Sequence, residues 1–392
     1  MTEPMVQLLL KAMFWFGVLV VAYAYLLYPL LIWVLAGMRQ ERRRSDSGHP
    51  STRYSVVLAV HDEAARISGR LDELLALVAT TDSCSEVIVV ADGCTDATAA
   101  LARSHQSPLV RVVELPENEG KARALTRGCE LAQGDILVFA DARQRWATAS
   151  LGRLLENFAR PEVGAVTGEL VIEAPEALAG VGLYWRYEKW LRRNEGRLHS
   201  TVGVSGSISA VRRELFRPIP RGVLLDDVYW PLQVVMRGRR VVYEERAVAY
   251  DCLPDRRADE FRRKVRTLSG NFQLAAMLPQ ALLPWRNPIW VQFISHKLLR
   301  LAVPWMLLAV FLASALLDGP LYRIAFVAQV IFYGAALIAL AGGPRPRWRM
   351  ATAAAGFVML NVAAWLAFWV WICGRTEGAW KKVAYDVSLP PD

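Results

Sequence analysis

Four long stretches without a charged residue frame the chain and limit what it can fold into. They cover residues 12–37, 301–317, 324–343 and 351–373. A helix over the first stretch would extend roughly 39 Å, enough to cross the ~30 Å hydrocarbon core of a bilayer when tilted. Residues 39–270 hold most of the acids and bases. This pattern indicates a polar domain held between membrane-spanning helices, and it excludes an ordinary soluble enzyme.

Composition narrows the class further. The 26 glycines and 20 prolines are ordinary counts for 392 residues, so collagen-like and low-complexity chains are excluded. The cysteines are Cys84, Cys94, Cys129, Cys252 and Cys373. They lie far apart without a C-x-x-C pair, which disfavours a disulfide framework or a zinc site and fits reduced cytosolic thiols. The net charge of +9 fits membrane-border cations and anion contacts better than nucleic-acid binding.

Basic residues at the borders of the apolar stretches predict the orientation of the chain. Those that follow the first stretch are Arg39, Arg42, Arg43 and Arg44. A cleaved signal peptide has a shorter apolar region with the basic residues before it, so a retained anchor is expected. The positive-inside rule then places the central domain in the cytoplasm of a multi-pass protein of the cell (inner) membrane. Four spans put Arg375, Lys381 and Lys382 outside, against the rule. Either these charges are too few to matter, or one span is re-entrant or interfacial.

The chain divides into five expected segments. They are an N-terminal transmembrane helix at 8–38, a soluble domain at 52–270, an interfacial amphipathic segment at 271–296, three transmembrane helices within 297–374 and a polar tail at 375–392. The segment at 271–296 is rich in tryptophan and interrupted by proline, which suits the headgroup layer better than the hydrocarbon core.

Short β-branched runs alternate with helical stretches in the soluble domain. The runs are Ser55–Val60, Glu86–Ala91, Leu109–Glu114 and Ile136–Ala140. Strands that alternate with helices predict a parallel sheet. Ligands of such sheets bind beyond the carboxyl ends of the strands, so the residues directly after each run are site candidates.

Charged and polar residues occupy those positions. They are His61, Asp62 and Glu63, then Asp92 to Asp96, then Asn118 to Lys121, then Asp141 and Arg143. Asp and Asn after a strand are also favoured helix caps, and that alternative stays open for each of them. Neither a G-x-G-x-x-G nor a P-loop motif is present. Carboxylates for a base and ribose, with a lysine and an arginine for phosphates and possibly a metal, could still hold a nucleoside diphosphate.

Whole segments of the chain resemble the family 2 glycosyltransferases, inverting enzymes with a GT-A fold. The similarity is to the membrane-anchored branch of cellulose, hyaluronan and poly-N-acetylglucosamine synthases, and it runs from about Tyr54 to Gly270. It rests on segments in the family's order: SVVLAVHDEAARI, VIVVADGCTDAT, NEGKARAL, DILVFADARQ, ENFARPEVGAVTGEL, VSGSISAVRREL and LLDDVYWPLQVVMRGRRVVY. The resemblance implies an α/β GT-A domain, Rossmann-like with a mostly parallel sheet, plus α-helical transmembrane anchors.

The same resemblance implies an activity and partners. It implies hexosyl transfer from a nucleotide-sugar, with a UDP-sugar expected, to a lipid-linked or polysaccharide acceptor at the lipid bilayer. The setting would be cell-envelope or exopolysaccharide synthesis, where envelope-synthesis subunits could be partners. No nucleic-acid partner is expected.

Site residues follow from the matching motifs. The resemblance assigns Asp227 as the catalytic base, with Asp226 beside it. It assigns to the donor side Val60, His61, Glu63, Asp92, Lys121, Asp141, Arg143, Arg263 and Arg266. A divalent metal, Mg²⁺ or Mn²⁺, would bind at Asp141.

Two departures from the family pattern bear on these assignments. Arg143 stands where many members have a second aspartate as metal ligand, so weak metal binding is expected. Thr267 stands where processive synthases have a tryptophan under the growing sugar chain, which argues against processive polymerisation. A catalytically inactive membrane scaffold or regulator is therefore the main alternative. A transporter is disfavoured because the spans contain few polar residues.

Two further titratable residues have structural interpretations. Glu188, within YWRYEKW, is expected to form a structural ion pair. His296 is expected to cap a helix or to reach toward the membrane surface, since no second ligand lies at metal spacing.

The first testable prediction is that residues 45–270 face the cytoplasm. It follows from the arginines after the first span. An engineered Ser47→Cys should react with a membrane-impermeant thiol reagent only after intact cells are permeabilised. Labelling of that cysteine from outside intact cells would reverse the orientation.

Overall fold

The computed structural model describes residues 3–39, 52–81, 83–173, 179–252, 257–341 and 349–374. Four of its helices are long and apolar enough to cross a membrane: Glu3–Met38, Trp290–Leu316, Pro320–Ala341 and Met350–Ile372. Between the first and the second lies an α/β domain. The predicted tail at 375–392 and the basic residues Arg42, Arg43 and Arg44 lie outside the described residues.

The first span consists of α1 (Glu3–Ala22), a π-helical turn (Tyr23–Leu27) and α2 (Tyr28–Met38). It begins before the predicted boundary at residue 8. The π turn directly precedes Pro29, whose ring cannot donate a backbone hydrogen bond and which sits in the first turn of α2. Gly17 lets α1 approach a later span closely, because a Cβ there would lie 2.6 Å from Val310 Cγ2.

The α/β domain alternates strands with helices. Its elements are β1 (Tyr54–Val60), α3 (Ile67–Val78), β2 (Cys84–Asp92), α4 (Thr98–Ser104), β3 (Val110–Leu115), α5 (Lys121–Leu131), β4 (Ile136–Ala140), β5 (Arg145–Trp146), α6 (Ser150–Glu156), β6 (Val163–Glu173), α7 (Ala179–Leu198), β7 (Ile208–Arg212), α8 (Asp226–Met236), β8 (Arg240–Cys252) and α9 (Arg257–Met277). The strands form one sheet in the order β3-β2-β1-β4-β7-β6-β8-β5.

The predicted parallel pairing is confirmed for β1 to β4, and the whole sheet is mostly rather than wholly parallel, since β7 pairs antiparallel with β4 and β6 and β5 pairs antiparallel with β8. The four runs found in the sequence become β1 to β4, and β1 pairs in parallel with both β2 and β4. Successive side chains of a strand point to opposite faces, so Val57 joins a core with α5 and α8 while Val56 and Leu58 join a core with α3 and α6. Because both faces are covered, the strands read as continuous apolar runs.

The chain returns to the membrane through α9. This helix continues past the predicted boundary at residue 270, and a short 3₁₀ turn (Pro279–Leu282) follows it. The second span then consists of α10 (Trp290–Gln292), a π-helical turn (Phe293–Leu298) and α11 (Leu299–Leu316). The last two spans are α12 (Pro320–Ala341) and α13 (Arg349–Ile372). Helix α13 packs against α9, where Phe272 stacks on Trp371 with ring centroids 5.5 Å apart.

Candidate active site

Most of the predicted site residues lie at one edge of the sheet. Strands β2, β1 and β4 are parallel neighbours and end at Asp92, Val60 and Ala140, directly before or at the candidate residues. Helix α5 begins with Lys121, and helix α8 begins with Asp226 and Asp227. The chain therefore directs several strand ends and two helix starts toward the same region.

The turn after β1 is held by side-chain hydrogen bonds to the turn after β2. His61 Nδ1 lies 2.7 Å from the carbonyl oxygen of Asp92, and the backbone N–H of Glu63 donates to Thr98 Oγ1 at 2.7 Å. Asp62, whose φ is 51°, accepts from the backbone N–H of Thr95 at 2.7 Å. These contacts fix where the end of β1 meets the end of β2. The contributions of Val60, His61 and Glu63 to donor binding stay predictions.

The side chains of His61, Asp62 and Cys94 could in principle hold a metal, since their ligand atoms lie within 4.8 Å of one another. Each of them also takes part in hydrogen bonds of the turn. Hydrogen bonds from the Thr95 backbone lower the pKa of Asp62 and occupy its carboxylate. Burial raises the pKa of the Cys94 thiol, which donates to the Val60 carbonyl oxygen. In this structure the three side chains are therefore part of a hydrogen-bonded turn.

Asp92 positions the loop that carries Lys121. Its two carboxylate oxygens accept backbone N–H groups of Glu119 and Gly120, each at 2.8 Å. Gly93 has φ +56°, and a Cβ at this residue would lie 2.2 Å from the Asn118 nitrogen, so only glycine permits the approach of the two loops. Asp92 is buried, and its predicted contact with the donor stays a prediction.

Lys121 lies among three carboxylates. Its Nζ is 2.5 Å from Asp141 Oδ1, and a Cβ on Gly206 would lie 3.3 Å from the same Nζ and 3.8 Å from Asp227 Cβ. Burial lowers the pKa of the Lys121 ammonium, but Asp141 and Asp226 outweigh burial and raise it. The ammonium is therefore charged, and the absence of a side chain at Gly206 leaves room between Lys121 and Asp227.

The two aspartates at the start of α8 hold their protons more tightly than ordinary carboxyls. Burial raises the pKa of Asp226 to about 6; Lys121 opposes this and Asp227 adds to it. Burial also raises the pKa of Asp227, against the lowering effect of Lys297, Arg192, Lys121 and Arg266, in that order. A carboxylate with a raised pKa is a better proton acceptor, which is the property that a general base needs.

Arg143 is ion-paired with a buried acid. Its Nη2 donates to Asp251 Oδ2 at 2.7 Å, and Gln144 Nε2 donates to the same oxygen at 2.9 Å. The pair ties the end of β4 to the far end of β8. The sequence did not predict Asp251 as a partner, because it lies more than a hundred residues away in the chain. A contact between Arg143 and the donor stays a prediction.

Helix α9 carries the basic residues Arg263, Lys264 and Arg266, which are only partly directed at the site. Arg263 Nη2 lies 2.7 Å from Glu260 Oε2 on the same helix. Lys264 lies over the Trp185 ring at 5.2 Å from its centroid. Arg266 is close enough to Asp227 to lower the pKa of that carboxyl. Arg266, assigned to the donor side, thus also acts electrostatically on the predicted base.

A buried polar cluster joins the domain to the membrane helices, and the sequence analysis missed it as a cluster. His296 Nδ1 lies 2.8 Å from Glu195 Oε1, and His296 Nε2 lies 2.9 Å from Glu188 Oε2. Tyr28 of α2 donates to Glu195 at 2.5 Å, and Arg300 of α11 pairs with Glu188. The expected ion pair of Glu188 is confirmed. The expectation for His296 is wrong, because its side chain is buried between two carboxylates. Two glutamates seven residues apart on α7 were the available signal.

The raised pKa of Asp226 predicts a pH-dependent stability. The folded protein binds this proton more tightly than the unfolded chain. The stabilisation from protonation is therefore fully present below about pH 4 and is lost as the pH rises through about 6. Asp226→Asn should raise the free energy of unfolding at pH 8 by about 1–2 kcal/mol, after allowance for partial solvent screening, and change it little at pH 4. Thermal unfolding of the detergent-solubilised protein at both pH values measures this.

The control for that prediction is Asp141→Asn, which removes the ion-pair partner of Lys121 instead of a destabilising charge. It should lower the unfolding temperature at pH 8. If Asp226→Asn lowers it as well, the carboxylate of Asp226 stabilises the fold and the assigned pKa shift is wrong.

Comparisons with known proteins agree with this geometry. Residues 55–219 match the family model described as Glycosyl transferase family 2. The poly-beta-1,6-N-acetyl-D-glucosamine synthase of Staphylococcus aureus (strain COL) is 25% identical over 231 residues, which cover 56% of this chain and 54% of the synthase. The dolichyl-phosphate beta-glucosyltransferase of Drosophila melanogaster is 41% identical over 102 residues, which cover 24% of this chain and 31% of that enzyme. The chain thus spans about half or less of the curated relatives that it matches.

One solved structure resembles almost the whole chain. The mannosyltransferase PcManGT from Pyrobaculum calidifontis, solved with GDP-Man and Mn²⁺, has a TM-score of 0.69. It is 24% identical, and the alignment covers 92% of this chain and 99% of that one. At this identity the likeness shows the fold. That fold is GT-A, and residues 55–219, less than half of the chain, match the model of glycosyltransferase family 2.

Proposed function

We propose that the protein is an inverting glycosyltransferase that moves a hexosyl group from a nucleotide-sugar, a UDP-sugar by resemblance, to a lipid-linked or polysaccharide acceptor. The observation that carries the proposal is the convergence of Lys121, Asp141, Asp226 and Asp227 around the space that Gly206 leaves open. A cation for a leaving diphosphate thus lies beside a carboxylate with a raised pKa. The similarity to the poly-beta-1,6-N-acetyl-D-glucosamine synthase of Staphylococcus aureus supports envelope or exopolysaccharide synthesis as the setting.

The chemistry that these residues can perform is a single displacement. Asp227 would accept the proton of the acceptor hydroxyl while the oxygen of that hydroxyl bonds to the donor's C1. The bond between C1 and the diphosphate oxygen breaks, and its electron pair leaves with the nucleoside diphosphate. Lys121 would stabilise that departing charge, and Arg266 would add to the positive potential. Attack opposite the leaving group inverts C1.

Asp141 fits the binding of a divalent metal. Its side chain is 26% exposed, and it offers the hard oxygen that Mg²⁺ and Mn²⁺ prefer. Diphosphate oxygens and water would supply the other ligands. When bound, the metal would neutralise charge on the leaving diphosphate. Asp251 offsets the charge of Arg143, so we expect Arg143 to weaken metal binding less than its sequence position indicates.

The location follows from the membrane helices. We propose that the four spans hold the catalytic domain at the cytoplasmic face of the cell membrane, where nucleotide-sugars are available. The donor would enter at the edge of the sheet. The acceptor would approach from α7, α9 and the second span, which border Asp227 on its membrane side.

Replacement of the base gives the sharpest test of this function. Asp227→Asn should lower sugar transfer about a hundredfold to ten-thousandfold, because a general base contributes that much, while the affinity for the donor nucleotide stays within about twofold. The assay is nucleoside diphosphate release by the detergent-solubilised protein with a panel of UDP- and GDP-sugars. Asp72→Asn, at a carboxylate that is 73% exposed, is the matched control and should retain full activity.

Two results of that assay would contradict the proposal. Substantial turnover by folded Asp227→Asn would place the base on another residue. No nucleoside diphosphate release from any donor by the wild-type protein would favour the inactive scaffold instead.

Metal dependence gives a separate prediction. Asp141→Ala should abolish transfer, and excess chelator should lower the wild-type rate strongly. The midpoint of thermal unfolding with UDP present should rise on addition of Mn²⁺ in the wild type and not in Asp141→Ala. Asp62→Asn is the control, because its carboxylate belongs to the hydrogen-bonded turn, and it should keep the Mn²⁺ effect. Full activity in excess chelator would show that cationic side chains replace the metal.

A further inference from the structure

Trp146, on the short strand β5, is a buried residue with polar contacts to two other parts of the domain. It is 4% exposed. The indole Nε1–H donates to the carbonyl oxygen of Ser207 at 3.0 Å, and the backbone N–H donates to Glu73 Oε1 at 2.6 Å. The first of these bonds depends on the indole, because a phenylalanine ring would fill much of the same space without a donor.

Two residues of α3 fix the orientation of the indole. Arg70 Cζ lies over the ring, 5.7 Å from its centroid, and Arg70 Nη1 donates to Glu73 Oε2 at 2.7 Å. Glu73 thus accepts from the backbone of Trp146 with one carboxylate oxygen and from Arg70 with the other. The arginine is buried, and a buried charge stays with its partners because separation from them is strongly unfavourable. A charged pair therefore holds the ring, in addition to apolar packing.

The carbonyl that the indole binds belongs to a loop beside the predicted base. Strand β7 begins at Ile208, which pairs with Ala140, the last residue of β4. The ladder between these two strands ends at this pair. Beyond it, Asp141 follows β4, whereas Gly206 and Ser207 precede β7. The indole hydrogen bond joins the two segments again on the side where the reacting groups lie.

Gly206 connects this bond to the reacting groups. A Cβ on Gly206 would lie 3.3 Å from Lys121 Nζ and 3.8 Å from Asp227 Cβ. Two residues earlier, the backbone N–H of Val204 donates to the Asp227 carbonyl oxygen at 2.8 Å. The loop at 204–207 is therefore held at one end by α8 and at the other end by the indole. A shift of the indole-bound end would change the space between the lysine and the aspartate.

The segment that contains Trp146 has supports of its own on the donor side. Asp141 Oδ1 lies 2.5 Å from Lys121 Nζ, and Arg143 pairs with Asp251 at 2.7 Å. Strand β5 also pairs with β8 through the backbone. None of these contacts uses the indole N–H. Its loss should therefore release one end of the loop at 204–207 and leave the donor side in place.

We infer that Trp146 is a positioning residue for sugar transfer: its indole N–H holds the Ser207 carbonyl and so keeps Gly206 at the distance from Asp141 at which donor and acceptor react. The inference rests on the proposed function and adds to it a residue that lies behind the site. In this role Trp146 touches neither substrate and transfers no proton. It acts on the rate of the chemical step, because a displacement of about 1 Å can cost a hundredfold in rate.

Two replacements remove the N–H and keep an aromatic ring. Trp146→Phe leaves the buried carbonyl of Ser207 without its donor. Insertion of 3-benzothienylalanine at position 146, by suppression of an amber codon, keeps the size of the indole and replaces the N–H with sulfur. Each should lower kcat about tenfold for the donor that the wild type uses fastest. The dissociation constant of UDP or GDP, matched to that donor and measured with Mn²⁺ present, should stay within about twofold.

The measurements are nucleoside diphosphate release and calorimetric titration of the detergent-solubilised full chain. Phe158→Leu is the matched control, because Phe158 is 4% exposed and also lies under an arginine, with Arg212 Cζ 5.5 Å from the ring centroid. Arg212 pairs with Ile136, at the opposite end of β4 from Asp141. This variant should lower the midpoint of thermal unfolding through lost packing and leave kcat within about twofold.

Each contrary outcome has a definite meaning. An unchanged kcat in the benzothienylalanine protein would overturn the role of the hydrogen bond, whatever Trp146→Phe does to folding or rate. A parallel loss of kcat and nucleotide affinity in both Trp146 replacements and in Phe158→Leu would show a general structural role and overturn positioning. Wild-type turnover with either result would leave the proposed function standing. No nucleoside diphosphate release by the wild type from any donor would remove the proposed function and this inference together.

Discussion

The ammonium of Lys121 within a group of carboxylates is the interaction on which the site depends. Asp141, Asp226 and Asp227 come from a strand end and a helix start that are far apart in the sequence, and three carboxylates close together would repel one another without a cation. Lys121 supplies it, at 2.5 Å from Asp141. Asp92 holds the loop that presents this lysine through two backbone hydrogen bonds. The buried acid at the end of β2 therefore acts on the site through the backbone of Glu119 and Gly120.

The membrane helices contribute side chains to a buried polar cluster beside the site. His296 lies between Glu188 and Glu195, and Tyr28 reaches the same cluster from the first span. A buried charged group without a partner costs several kcal/mol, so these contacts strongly favour one arrangement of α7 against the two spans. Arg192 and Lys297 flank the contact. The position of the predicted base relative to the membrane is thus set by a polar cluster, while the apolar helix faces permit several arrangements.

Local patterns were sufficient to predict four of the eight described strands and much of the edge that those four form. β-branched runs gave β1 to β4 with nearly the observed bounds, and the residues after them include Lys121 and Asp141, which meet as expected. The pairing of Arg143 with Asp251 could not be predicted, because it depends on how β8 closes the far side of the sheet. The same holds for His296: its partners lie about a hundred residues earlier, and only packing of α7 on the second span brings them together. Periodicity reports the face of an element but not which element lies against it.

The two departures from the family pattern have different physical consequences. Arg143 is compensated by Asp251, so the charge that it adds is largely neutralised within the protein. Thr267 is not compensated in that way. It has no ring, its carbonyl accepts from Asn271 at 3.1 Å, and the nearby Trp185 ring on α7 is covered by Lys264. Under the proposed function, a growing sugar chain would therefore find no open aromatic surface at these two described positions.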